Sequence, residues 1–268
     1  MPAIDLARLK KQTAQLTDLF NRPEDFVRAL HDMLDFYVNR SRREADTVAP
    51  SSALDSYHTP PVILKAIETE IGPLAVSDPN ATIELADRLW DEDWLETRLL
   101  AASLLGRIPP QEEQLLARLT AWAGQVREPS VRATLLTTSL ARLQREMPER
   151  FLALVSEWLN PERQRLWPHG IQALLPLIRD QNYHNLPPIF DMLESIVEAA
   201  PASIQNDLVD LFGALHAASP TETTHFLQQV IANSNTPMTA ITFRRILPSL
   251  PAELADAIRD LVRGIQAQ

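Results

Sequence analysis

Cysteine is absent from all 268 residues. Disulfides, thiolate metal sites and cysteine nucleophiles are thereby excluded. Glycine is scarce, with 6 residues against 21 prolines. Tight β-turns and phosphate-cradling loops depend on glycine, which alone takes φ > 0 without penalty. A glycine-flanked serine elbow and a Walker-type loop are both missing. Proline instead opens helices, at a first turn where its missing N–H has no partner to lose. The imbalance points to an all-α protein. No apolar run approaches the roughly 18 uninterrupted residues of a membrane span. The opening stretch MPAIDLARLKKQTAQL also lacks the apolar centre of a signal peptide. The expectation is a soluble cytoplasmic protein without a cofactor.

Positive charge is missing from one long stretch. Lysine and arginine do not occur from Gln181 to Phe243, where Asp191, Glu194, Glu198, Asp207, Asp210 and Glu222 all lie. The chain as a whole carries a net charge of −10. Duplex DNA is held largely by neutralising its phosphates, so this segment should repel a nucleic-acid backbone. Arginines gather at Arg40, Arg42 and Arg43 and along the helices between Arg88 and Arg179. Most of these read as ordinary helix surface.

What is present is helical periodicity. Leu85 and Leu89, then Leu95, Leu99 and Ala102, mark two helices around Asp91-Glu92-Asp93, and similar runs continue to Leu250. Proline marks the helix starts at Pro60, Pro79, Pro148, Pro161, Pro220 and Pro251, often with acid in the first turn to face the helix dipole. Pro168 should kink or split the helix it falls in. Trp90, Trp122 and Trp158 follow one another at steps of 32 and 36, and Val197 and Ile231 continue at 39 and 34. Two antiparallel helices repeated every roughly 35–40 residues are the signature of an α-solenoid, whose pairs bury their apolar faces only by stacking. The tryptophans then belong to the inter-helix core. The expected architecture is a single right-handed α–α superhelix over 1–268, HEAT-like, of about six or seven helical pairs. Residues 1–56 form irregular N-terminal helices (3–20 and 24–40) and a polar connector (41–56), and 57–268 carry the regular pairs.

Residues 57–108 are more particular. Thr59-Pro60 opens a helix, Leu89-Trp90 closes the next, and a charged turn leads from Asp91 to an alanine-rich helix ending near Leu105. In these features the chain resembles the HEAT-like DNA alkylation repair family, bacterial glycosylases that excise alkylated bases. The resemblance implies a concave solenoid cradling duplex DNA, with an aspartate and tryptophans at the lesion. Where that family carries adjacent tryptophans followed by the aspartate, this chain has VREPSVRATLL, with Arg127, Glu128 and Pro129 in place of aromatics and Arg132 near the aspartate. A carboxylate stabilises the positive sugar that develops in base excision, and an arginine opposes it. The family's downstream arginine falls near RLWPHG, where Trp167 is followed by Pro168 and Gly170.

Two functions remain in view. The first is a non-catalytic binding scaffold with a protein or small-ligand partner; the second is a glycosylase acting on duplex DNA. No catalytic or metal residue is assigned. Glu222-x-x-His225 is the nearest approach to a metal motif and lacks a second copy. The candidate binding residues, on the concave face, are Trp94, Arg98, Arg127, Arg132, Arg163, Arg165 and Trp167. Trp94 and Arg98 are one turn apart and could stack; the alternative is that Arg98 pairs with Asp91 or Asp93 to fasten adjacent helical pairs.

Overall fold

A computed structural model describes residues 5–38, 54–233 and 237–264, all helices and turns save one isolated bridge between Asp55 and Trp94. The fold is all-α. Contacts divide it into two units, Met1–Met147 and Pro148–Gln268.

In the first unit, α1 (Leu6–Thr17) and α2 (Pro23–Phe36) are followed by α3 (Pro61–Ser77), α4 (Pro79–Trp90), α5 (Leu95–Leu105) and α6 (Glu113–Gln125). The last helix begins as α7 (Pro129–Thr134), passes through a π-helical turn at Leu135–Ser139 and ends as α8 (Leu140–Glu146). Helix starts follow local chemistry. Asp5 accepts from the N–H groups of Ala7 and Arg8 at 3.0 and 3.1 Å, and Asp78 accepts from Ala81 at 3.1 Å. Proline takes the first position of α2, α3, α4 and α7.

These helices form two layers. In one, α1, α3, α5 and the α7–π–α8 helix pack in succession; in the other, α2 packs on α4, and the indoles of Trp90 and Trp122 stack α4 on α6. The core follows the apolar stripes, with Ile63, Ile67 and Ile71 of α3 and Leu100, Ala101 and Leu105 of α5 all fully buried. Two close approaches hold the π turn. Ser139 Oγ donates to the carbonyl of Ala102 at 2.6 Å, and Gly106 lies so near the turn that a Cβ would stand 2.4 Å from the Thr138 carbonyl oxygen.

The second unit repeats the two-layer plan. One layer holds α10 (Trp167–Ile178), α12 (Gln205–Ala218) and α14 (Pro237–Ile246). The other holds α9 (Pro148–Trp158), α11 (Pro187–Ala199), α13 (Pro220–Asn233) and α15 (Ala252–Gly264). Pro168 acts as a splitter, because a 3₁₀ segment at Pro161–Leu166 stops where α10 begins. The repeat markers fall as the spacing predicts: Trp90, Trp122, Trp158, Val197 and Ile231 are all buried and close to the ends of α4, α6, α9, α11 and α13.

The helix expected over 24–40 ends at Phe36, and of the connector only 54–56 lies within the described residues. Those few residues are tied down by the bridge to Trp94.

Gly213 sits inside α12, and a Cβ added there would have nothing within 4 Å among the described residues. A helix-interior glycine costs about 0.5–1 kcal/mol against alanine. Gly213→Ala should therefore raise the stability of the chain by about that amount in urea unfolding; a destabilised variant would place an unseen neighbour there.

Candidate functional site

Three connections lead from the α2–α4–α6 layer to the α3–α5–α7 layer, and their described parts (54–60, 91–94 and 126–128) lie along one edge of the first unit. The indole N–H of Trp90 donates to Gln125 Oε1 at 3.2 Å, joining the ends of α4 and α6, from which the second and third connections leave. The first and second are joined by backbone: Asp55 N–H donates to the Asp93 carbonyl at 3.0 Å, and Leu95 N–H to the Asp55 carbonyl at 2.8 Å.

Glu96, in the first turn of α5, is 3% exposed and organises the 54–60 segment. Its carboxylate accepts from Ser56 Oγ at 3.0 Å, Tyr57 N–H at 3.2 Å and Thr59 N–H at 3.4 Å. His58 takes a left-handed φ of 51°, which reverses the chain between the two bonded amides. Tyr57 is thereby laid on Trp94, ring centroids 4.0 Å apart and 18° from parallel. His31 of α2 closes the cluster. Its Nε2 donates to Glu92 Oε2 at 3.2 Å, which leaves Nδ1 to meet the Tyr57 hydroxyl at 2.9 Å.

Glu92 also receives the guanidinium of Arg88, which donates through Nε to Glu24 at 2.8 Å. The hydrogen bond to Glu24 is the largest influence raising Arg88 above its ordinary pKa; Glu92 adds to it against the loss from partial burial. The two glutamates that hold this cluster together, Glu92 and Glu96, are thus both engaged. Exposed Asp55, Asp91 and Asp93 surround it. The edge has an aromatic shelf, and its arginines are matched or outnumbered by acid.

The predicted site residues divide between the units. Trp94 is half-buried under Tyr57. Arg98 does not cover Trp94. It lies over Trp90, 5.5 Å from the ring centroid, and donates to the Glu92 carbonyl and to Asp93 Oδ1, each at 2.9 Å. Of the two partners that its spacing suggested, Asp93 is the one it meets, in the turn just before its own helix. Arg127 is exposed and Arg132 half-buried on the same edge, and neither forms an ion pair among the described residues. Arg163 and Arg165 belong to the second unit, exposed in the 3₁₀ segment, with Arg163 paired to Glu157.

Trp167 has to be removed from the binding set. It is fully buried, and its indole N–H donates to the Asn160 carbonyl at 3.0 Å, holding the 3₁₀ segment to the start of α10. A ligand could reach that ring only by unfolding the turn.

His31, Tyr57, Glu92 and Glu96 were absent from the sequence-based set. Glu96 reads locally as a first-turn acid facing the helix dipole, and its partners lie 37–40 residues earlier. No local pattern announces such a bond.

The family model described as DNA alkylation repair enzyme matches residues 63–245. No curated protein and no solved structure matches the chain.

Proposed function

Since this chain belongs to the DNA alkylation repair enzyme family, we propose that it is a binding member of that family, one that keeps the HEAT-like helical scaffold and holds a protein or small-ligand partner without cleaving it. What supports this is Arg132 in the aspartate's place, together with the engagement of the two glutamates that hold the aromatic cluster, Glu92 and Glu96. Excision of an alkylated base calls for a carboxylate free to stabilise positive charge developing on the sugar. Glu92 is held by Arg88 and His31, and Glu96 by Ser56, Tyr57 and Thr59. Where the resemblance calls for an aspartate, the chain has Arg132. The acid around the edge, together with the stretch without lysine or arginine between Gln181 and Phe243, further disfavours a phosphate backbone as the partner.

The test is an excision assay on methylated duplex DNA together with binding titrations at two salt concentrations. The expected result is no released base and weak binding. Released alkylated base would establish the alternative, a glycosylase.

Should duplex DNA bind, the contacts would fall on Arg127 and Arg132. Replacing both by alanine should then weaken binding similarly across sequences, lower the salt slope by about 2 and leave the helical circular dichroism unchanged. Unaltered affinity would move the contact elsewhere.

A further inference from the structure

The second unit carries a groove of about 450 Å³ between α11 and α13. Phe190 and Phe226 line it, ring centroids 5.0 Å apart and tilted by 33°. Asp191, Glu194, Glu222 and His225 stand exposed around them. The arrangement follows from helix geometry: Glu194 is four residues after Phe190, and Glu222 four before Phe226, so each acid shares a face with its ring.

The acid here is less matched than much of that in the first unit. There, Glu92, Asp93, Asp87 and Glu146 each meet an arginine. Around the groove, Asp191, Glu194 and Glu222 form no ion pair among the described residues, and the sequence from Gln181 to Phe243 holds no lysine or arginine to supply one. Three like charges around an aromatic floor repel one another until a cation arrives. The kind of cation follows from the geometry. The acids do not converge as metal ligands, for no group of three His, Asp or Glu among the described residues is placed to hold a metal ion. An aromatic floor with carboxylates at its rim suits a planar guanidinium, which stacks on a ring and presents its N–H groups to carboxylates in the same plane.

The geometry points to this groove as the docking site for an arginine-bearing segment of a protein partner, its guanidinium over the half-buried ring of Phe226, which the buried Phe190 backs, and its charge met by Asp191, Glu194 and Glu222. The assignment deepens the binding role proposed above and rests on it. It is tested with the full chain and a fluorescent peptide alternating arginine and glycine. A lysine–glycine peptide, a glutamate–glycine peptide and spermine serve as competitors. The arginine peptide should bind best, and Glu194→Lys with Glu222→Lys should weaken it roughly 10-fold or more. Phe226→Leu, which leaves every charge in place, should weaken it several-fold, with circular dichroism confirming that each variant is folded. Absence of binding, equal affinity for the charge-reversed variant, or equal competition by lysine peptide or spermine would each overturn the assignment. Excision measured on the same preparation separates the two conclusions. Released base with peptide binding intact would remove the non-cleaving role and leave the groove. Lost peptide binding without excision would remove the groove alone.

Discussion

Gly106→Ala is expected to destabilise the first unit by about 3 kcal/mol, at the upper end of the range for overpacked sites. For a unit of this size that corresponds to a fall in Tm of roughly 6–12 °C. Gly106 has ordinary right-handed dihedrals, φ −68° and ψ −10°, so the glycine is not required by backbone conformation. The contact requires it. A Cβ would lie 2.4 Å from the Thr138 carbonyl oxygen, 3.1 Å from its carbon and 3.3 Å from the Ser139 Cα, all of them backbone. No side-chain rotation relieves that overlap. Relief requires α5 and the π turn to separate, and the bond from Ser139 Oγ to the Ala102 carbonyl would break as they do. Gly170→Ala provides the contrast. Its Cβ would meet Leu159 Cδ2 at 2.6 Å and Cγ at 2.8 Å, side-chain rather than backbone atoms, so the loss should be smaller, though Leu159 is buried and must repack. Equal stabilities of wild type and Gly106→Ala in thermal unfolding would show that α5 does not approach the turn so closely.

Glu96→Ala should cost about 3–4 kcal/mol. Hydrogen bonds to a charged group contribute about 1.5–3 kcal/mol each, and buried donors left alone carry a desolvation penalty of about 1–3 kcal/mol. Glu96 serves three donors, of which the Tyr57 N–H is fully buried. Their sum would exceed the estimate, but Ser56 Oγ and the Thr59 N–H are only partly buried and can turn to water. The damage should be local before it is global. Amide exchange should quicken in residues 54–60, and tryptophan fluorescence should change as Tyr57 leaves Trp94. Glu96→Gln keeps the shape and one acceptor oxygen, so it should lose roughly half as much. An alanine variant with unchanged exchange in 54–60 would mean that the bridge between Asp55 and Trp94 holds the segment unaided.

Much of the fold could be read along the chain. Proline with an acidic first turn marks where helices begin, and leucines at helical spacing mark which face is buried. Trp90, Trp122 and Trp158 gave the phase of the repeat because each lies buried near the end of its helix. The loose motif from Thr59 to Leu105 was enough to reach the right family. The site was far less legible. Trp167 carries the same local signals as an aromatic at a ligand edge, and Arg98 lies one turn from Trp94 but covers Trp90 instead.

By itself the sequence determined what depends on neighbours within about one turn: helix identity, helix limits, the buried stripe and the uncompensated acid from Gln181 to Phe243. The tertiary structure alone decided which side chains meet across layers. Helical periodicity says that a residue faces inward and is silent about what it will find there. That depends on the register between helices, and here register buried Trp167, gave Glu96 its partners and brought Gly106 against a backbone oxygen 32 residues further along the chain.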